Sequence, residues 1–137
     1  MTQAYAKYAL RAPEYCTVVA IADPRPRTQK HFAATHNVDQ TLVFSTWQEL
    51  HAASAETINT IGKRLADAVV IAVQDHMHLE VVLAFAEQGY HILCEKPMAT
   101  SLEDCIKMEV AVKKAGIIFG MGHGEHFIVC LFLAGRN

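Results

Sequence analysis

Apolar residues along this chain alternate between two rhythms. Thr17-Val18-Val19-Ala20-Ile21-Ala22 and Ala68-Val69-Val70-Ile71-Ala72-Val73 are continuous apolar runs, and His91-Ile92-Leu93-Cys94 is a shorter one. Their length and β-branching predict strands buried on both faces. Between them the spacing turns helical. Tyr5 to Leu10 sits among good helix formers and is stopped by Pro13. Pro26 to His36 predicts a second helix, its proline tolerated in the first turn. Thr41 to Phe44 reads as a short strand, and Trp47-Gln48-Glu49-Leu50 opens a short helix. Ser54 to Lys63 is polar and weakly periodic, which suits a loop or a surface helix. His78 to Gln88 predicts a helix that Gly89 closes. Ser101-Leu102-Glu103-Asp104 has the form of a capping box, after which Leu102, Ile106 and Val110 mark an inward stripe. Ile117 to Met121 is expected to be a last core strand.

Helices alternating with doubly buried strands define an α/β fold, a doubly wound parallel sheet with helices on both faces. In such a fold chemistry collects along one rim, at the carboxyl ends of the strands. Three of these ends carry polar residues: Asp23, the run Gln74-Asp75-His76, and Glu95-Lys96.

Composition narrows the function. With 137 residues there is room for one domain, and 52% hydrophobic content is ample for its core. A formal net charge of -2 disfavours a nucleic-acid surface, which needs a basic excess. Cys16, Cys94, Cys105 and Cys130 form no CxxC pair, and three lie in apolar runs, as buried free thiols do. The first ten residues are too polar for a secretory signal. The longest apolar run, Phe127 to Ala134, falls far below the roughly 20 residues a membrane span requires. The expectation is a soluble, cytoplasmic protein with no nucleic-acid or membrane partner.

Asp23 ends an apolar strand, where an acid can accept hydrogen bonds from the ribose hydroxyls of a dinucleotide. Asp-Pro also opens ordinary turns, so the same residue suits an Asx-turn. Arg25 and Arg27 follow, placed to stack on adenine, to meet a 2′-phosphate, or simply to be solvated. Repulsion between Asp23 and a 2′-phosphate favours NAD, with NADP the second choice. In Glu95-Lys96-Pro97, a lysine leaving a buried strand can polarise a substrate oxygen or move a proton, and Pro97 can lock the turn through a cis peptide. A solvated lysine beside a turn proline is the plainer reading. His76 and His78 are two apart, a spacing that does not put two imidazoles on one helical face, so no metal site is expected. His78 is expected to cap its helix, and Trp47, the single tryptophan, to pack against the sheet edge.

Taken together the chain resembles the amino-terminal domain of the glucose–fructose oxidoreductase / inositol dehydrogenase (Gfo/Idh/MocA) family. The resemblance rests on Val18 to Pro24, Trp47 to Leu50, Asp67 to Ala72, His78, and Gly89-Tyr90-His91-Ile92-Leu93-Cys94-Glu95-Lys96-Pro97-Met98-Ala99. It runs from about Gln3 to His123, and Glu-Lys-Pro directly after a strand is its most specific mark. It implies a Rossmann-like fold in which Asp23 contacts the adenosine ribose, His78 and the residues before it lie near the cofactor, and Lys96 serves nicotinamide and substrate. The expected cofactor-binding set is therefore Asp23, Arg25, Gln74, Asp75, His78, Glu95, Lys96 and Pro97, with Lys96 catalytic.

Two departures stand beside the resemblance. Family members carry a strand and a G-x-G-x-x-G turn before the helix that holds Tyr5 and Tyr8, whereas the first glycine here is Gly62. The phosphate-binding nest is then absent, and the lost strand would belong between the strands ending at Asp23 and Val73, leaving two apolar edges. At the other end, residues 1–123 read as a partial dinucleotide-binding domain and residues 124–137 as an apolar tail foreign to the family. That tail is strand-like and is expected to lie on a bare sheet edge. A truncated gene model or splice form is the expected origin of this second departure, because Gly124-Glu125 can be encoded by a sequence that reads as a splice donor.

The functional expectation is the nucleotide-binding fragment of an NAD(P)-dependent oxidoreductase acting on a CH–OH group of a sugar, polyol or diol, inactive by itself. Its partners would be the dinucleotide and a small substrate, with a homo-oligomer allowed for a full-length form. The alternative is a dinucleotide sensor or dimerisation module on the same fold. A methyltransferase shares the acid after the strand but has no use for Glu95-Lys96-Pro97.

Overall fold

The computed structural model describes the backbone of residues 3–122 and 129–134, and the side chains of residues 5–122. The boundary expected after His123, and Phe127 and Ile128 of the apolar tail, lie outside the described residues. The chain forms α1 (Gln3–Arg11), β1 (Cys16–Ala22), α2 (Pro26–His36), β2 (Val43–Phe44), α3 (Trp47–Ile61) and β3 (Ala68–Ile71). It continues through α4 (His78–Glu87), β4 (His91–Glu95), α5 (Leu102–Ala115), β5 (Phe119–Gly122) and β6 (Val129–Ala134). Two 3-10 turns, Gln40–Leu42 and Asp75–Met77, shorten the strand expected from Thr41 and precede α4.

The fold is α/β and Rossmann-like, with six strands in the order β2-β1-β6-β3-β4-β5. β1 pairs parallel with β2, and β3, β4 and β5 pair parallel in succession. β6 runs antiparallel to both β1 and β3, so the other five strands share one direction. The gap read from the sequence is thus closed by the apolar tail, which pairs with both of the edges that the missing strand would leave bare, β1 and β3. Its ladder matches Ile21 and Val70 to Cys130, and Ala20 and Val69 to Leu131.

Alternation along each strand divides the interior into two cores. Ala20, Ala22, Val69, Ile71, Ile92 and Cys94 face α3, α4 and α5, meeting Leu50, Val81, Phe85 and Met108. Val18, Ile21 and Val70 face the other way, onto Ala6 and Ala9 of α1 and Phe32 and Ala33 of α2. Val18 and Ile21 share a face because β1 bulges between Val18 and Ala20, which adds one residue to the alternation.

Several elements differ from expectation. Residues 54–61 take the helical one of the two readings open to them and continue α3, which opens with a reciprocal capping box of Thr46 and Glu49 and closes at Gly62 in the left-handed region (φ 68°). The stretch looks polar because Ser54, on the inner face, is fully buried and pairs with the Tyr90 hydroxyl at 2.6 Å. On α5 the expected inward stripe points outward: Leu102, Ile106 and Val110 are 77%, 51% and 60% exposed. The buried residue is Met108, with Val112 and Ala115 packed beside it. α5 packs beside α4, and Ala111 and Ala115 line a hollow there with Leu83 and Ala86. Ser101 caps this helix by accepting from the Asp104 N–H. β5 is an edge strand rather than a core one, and Ile118 just before it is exposed.

The face inversion on α5 has a direct energetic consequence. Met108→Ala should cost about 2–4 kcal/mol in urea denaturation, as buried large-to-small changes do. Ile106→Ala should stay within about 0.5 kcal/mol.

Candidate functional site

The site grows from the shared direction of the family strands, which delivers the ends of β1, β3 and β4 to one rim. Asp23, directly after β1, is fully buried, and its N–H donates to Phe44 O of β2 at 3.1 Å. Its carboxylate is engaged by Arg25: the backbone N–H donates to Oδ1 at 2.8 Å, Nε to Oδ1 at 3.0 Å, and Nη2 to Oδ2 at 2.7 Å. The Asx-turn and the candidate binding acid are therefore the same residue. That hydrogen bond holds the Arg25 guanidinium above its usual range. Arg25 also precedes Pro26 at the start of α2.

β3 ends at Ile71, and Gln74 and Asp75 follow, both exposed. His78 does not cap α4: the cap position is Met77, without a side-chain hydrogen bond. The imidazole is buried and lies between two carbonyls, with Nδ1 2.7 Å from Pro97 O and Nε2 3.2 Å from Val73 O. A neutral ring has one N–H and donates to one of them, the shorter contact being to Pro97. His78 thereby ties the segment after β3 to the segment after β4.

β4 ends with buried Glu95, and Lys96 and Pro97 stand exposed beyond it, joined by the cis peptide read from the sequence. Glu95 is registered opposite Gly122 of β5. A Cβ at Gly122 would lie 2.5 Å from Tyr5 Oη and 3.0 Å from Glu95 Oε1, so a side chain there would have to displace the tips of Tyr5 and Glu95 where α1 meets the end of β4. A glycine near the end of a strand was the available signal for this contact, and sequence reasoning passed over it.

Gln74, Asp75, His78, Glu95, Lys96 and Pro97 thus gather around the adjacent ends of β3 and β4. Asp23 and Arg25 stand on the same rim but are not their neighbours. β6 and β3 separate β1 from β4, a span of roughly 14 Å at ordinary strand spacing. Between the two groups is an apolar hollow of about 220 Å³, lined by Ala22, Pro24, Trp47, Val73, Gln74 and Met77 among others. Trp47 packs into the core at this hollow, not against a sheet edge. An acid at one strand end, an apolar hollow beside it and polar groups at the next ends fit the adenosine half of a dinucleotide.

No group of three or more His, Cys, Asp or Glu that could hold a metal occurs among the described residues. Cys94, next to Glu95, is held away from thiolate chemistry, since burial and the neighbouring carboxylate push its thiol up to about 12. No helix among the described residues is long and apolar enough to cross a membrane.

These features define a dinucleotide-binding domain of the Rossmann type. The chain belongs to the Gfo/Idh/MocA oxidoreductase family: the family model "Oxidoreductase family, NAD-binding Rossmann fold" matches residues 1–123. It is 39% identical over 92 residues to 1,5-anhydro-D-fructose reductase of Ensifer adhaerens, covering 59% of this chain and 27% of the relative. It is 34% identical over 87 residues to scyllo-inositol 2-dehydrogenase (NADP(+)) IolU of Bacillus subtilis, covering 64% of this chain and 23% of the relative. The chain therefore spans about a quarter of the length of these relatives. Among solved structures, the WlbA dehydrogenase of Bordetella pertussis with NADH and UDP-GlcNAcA superposes with a TM-score of 0.67 at 25% identity, covering 85% of this chain and 31% of that one.

At pH 8 iodoacetamide should label the half-exposed Cys105 and leave Cys94 unmodified until denaturant is added. Peptide mass mapping reads both sites, and rapid labelling of Cys94 in the folded chain would contradict the burial described.

Proposed function

We propose that this chain is the nucleotide-binding part of an oxidoreductase acting on a CH–OH group of a sugar, polyol or diol, and that it is inactive alone. The observation that carries the reading is the single rim where β1, β3 and β4 end, with an apolar hollow between Pro24, next to Asp23, and Gln74, after β3. Family membership and relatives named as sugar and inositol oxidoreductases support it.

NAD, when bound, supplies the hydride-accepting ring. In this reading Asp23 accepts hydrogen bonds from the adenosine ribose hydroxyls, for which the Arg25 guanidinium must swing off its carboxylate. Half-exposed Arg25 can make that move and then lie over adenine. The hollow at Trp47 and Met77 excludes water from the base. Gln74, Asp75 and His78 shape the middle of the rim. Glu95 and Pro97 fix the exit of β4, and Lys96 holds or moves a proton at the substrate oxygen. NAD is preferred to NADP because a 2′-phosphate would meet the Asp23 carboxylate. Residues 1–137 contain no G-x-G-x-x-G turn for the pyrophosphate, which supports weak binding by this chain. Assembly of a full-length form as a homo-oligomer belongs to the same reading, as does a reducing cytoplasmic setting, in keeping with free Cys16, Cys94 and Cys105.

Trp47 reports the test, because it is the single tryptophan and lines the hollow. NADH should quench its fluorescence saturably with a Kd on the order of 1 mM. Asp23→Ala should weaken that binding about tenfold, and Lys96→Ala should weaken it less. Quenching that never saturates, or that ignores Asp23→Ala, would sink the proposal; submicromolar binding would refute the need for a glycine-rich turn. In a full-length oxidoreductase carrying this domain, Lys96→Ala should lower kcat about 100-fold or more. A non-catalytic sensor would keep its NADH affinity and show no turnover to lose.

A further inference from the structure

The two helices that cover one face of the sheet, α1 and α2, differ in charge from the rest of the chain. Between them they carry Lys7, Arg11, Arg27 and Lys30, with His31 and His36, and neither holds an aspartate or a glutamate. The whole chain has 14 acids against 12 lysines and arginines, so its net charge of -2 hides a basic surface. Glu14 and Asp39 lie beyond the ends of these helices, and Asp39 is already held by the Thr41 N–H and hydroxyl.

A hollow of about 200 Å³ opens between the two helices, lined by Lys7 and Leu10 of α1 and by His31, Phe32, Thr35 and His36 of α2. Part of its lining is apolar. Phe32 is buried and its ring centroid lies 4.4 Å from that of His36, while Leu10 is left 50% exposed. Burial holds the His36 imidazole below its usual range, so at neutral pH it adds wall rather than charge. The Thr35 hydroxyl donates to His31 O at 2.8 Å, which leaves exposed Lys7 and His31 as the donors open to a ligand. The carbonyl ends of the helices, which disfavour anions, are answered by Arg11 in the last turn of α1 and by the Asn37 N–H, which caps Ala33 O and Ala34 O of α2. α2 starts beside Arg25 at the rim and runs about 15 Å to His36, so the hollow stands apart from Asp23.

We propose that this hollow binds a small organic phosphate, its apolar ring or short chain lodged against Leu10 and Phe32 and its phosphate held by Lys7 and His31. The volume falls below the roughly 300–1,000 Å³ of drug-sized sites, which limits the apolar body to a single ring or a short chain. A lone exposed lysine holds an anion weakly in water, because salt screens it. Here the anion also gains from a surface with four fixed cations and no acid on either helix, and the apolar body gains from leaving water. A phosphate ester uses both. The inference is independent of the dinucleotide reading.

Phenyl phosphate, titrated into the isotopically labelled full chain and followed by amide NMR shifts, tests the proposal. Amides around Lys7, Leu10, His31 and His36 should shift saturably, with a Kd on the order of 1 mM. Lys7→Glu should weaken binding about tenfold without changing the circular dichroism, whereas Lys7→Arg should retain it. Inorganic phosphate and benzyl alcohol, each offering one half of the ligand, should both bind about tenfold more weakly. The proposal is overturned if inorganic phosphate binds as tightly as phenyl phosphate, or if no shift saturates. Shifts gathered at Asp23 and Arg25 instead would overturn it while leaving the dinucleotide reading in place. Capture by phosphatidylserine vesicles, without a saturable response to phenyl phosphate, would overturn it in favour of a membrane surface.

Discussion

The structure depends on one requirement: the facing edges of β1 and β3 must be bonded to a strand between them. Both strands are buried on their two faces, so an open edge there would leave backbone N–H and C=O groups without water or partner. Each such group costs on the order of 1–3 kcal/mol, and two strands carry several. β6 meets that requirement, and its direction matters less than its ladder. An antiparallel strand satisfies the same donors and acceptors as a parallel one, at the expense of one bulge in β1. With the slot closed, the sheet has two continuous faces, and α1 and α2 cover one while α3, α4 and α5 cover the other.

The rim follows from that closure. β1 and β3 run in the same direction because each is antiparallel to β6, and their carboxyl ends therefore emerge together. The polar residues at those ends are organised in two ways. At Asp23 the buried carboxylate is compensated by Arg25 through three donors, so any ligand donating to it would compete with an existing partner. At the ends of β3 and β4, the buried His78 ring lies between the Val73 and Pro97 carbonyls and can donate to the nearer one, Pro97, which ties the start of α4 to the turn carrying Lys96. A cofactor binding here would meet one end that must rearrange and one that is already braced.

Much of this was legible in residue order. Val69-Val70-Ile71 and Ile92-Leu93-Cys94 read as doubly buried strands because nothing in them could face water, and an acid or a lysine just beyond such a strand has few places to go except the rim. Other features were misread for physical reasons. Ser54 left loop and surface helix both open, and its burial unseen, because its partner, the Tyr90 hydroxyl, lies 36 residues away. Leu102, Ile106 and Val110 satisfy helical spacing as well as the true inner face does. The choice between the two faces is made by packing against distant elements, where Met108 is fully buried with Val112 and Ala115 beside it. Trp47 was legible as buried but not as the wall of a hollow, since Ala22 and Val73 reach it from separate strands.

Local chemistry within the chain determined the α/β alternation, the helix stops at Gly62, Gly89 and Gly116, and the polar residues at strand ends, because each depends on side chains a few positions apart. Tertiary structure decided which strand fills the centre of the sheet, which face of α5 turns inward, and how far Asp23 stands from Lys96. Those outcomes depend on backbone ladders and packing distances between segments far apart in sequence, and periodicity carries no record of either.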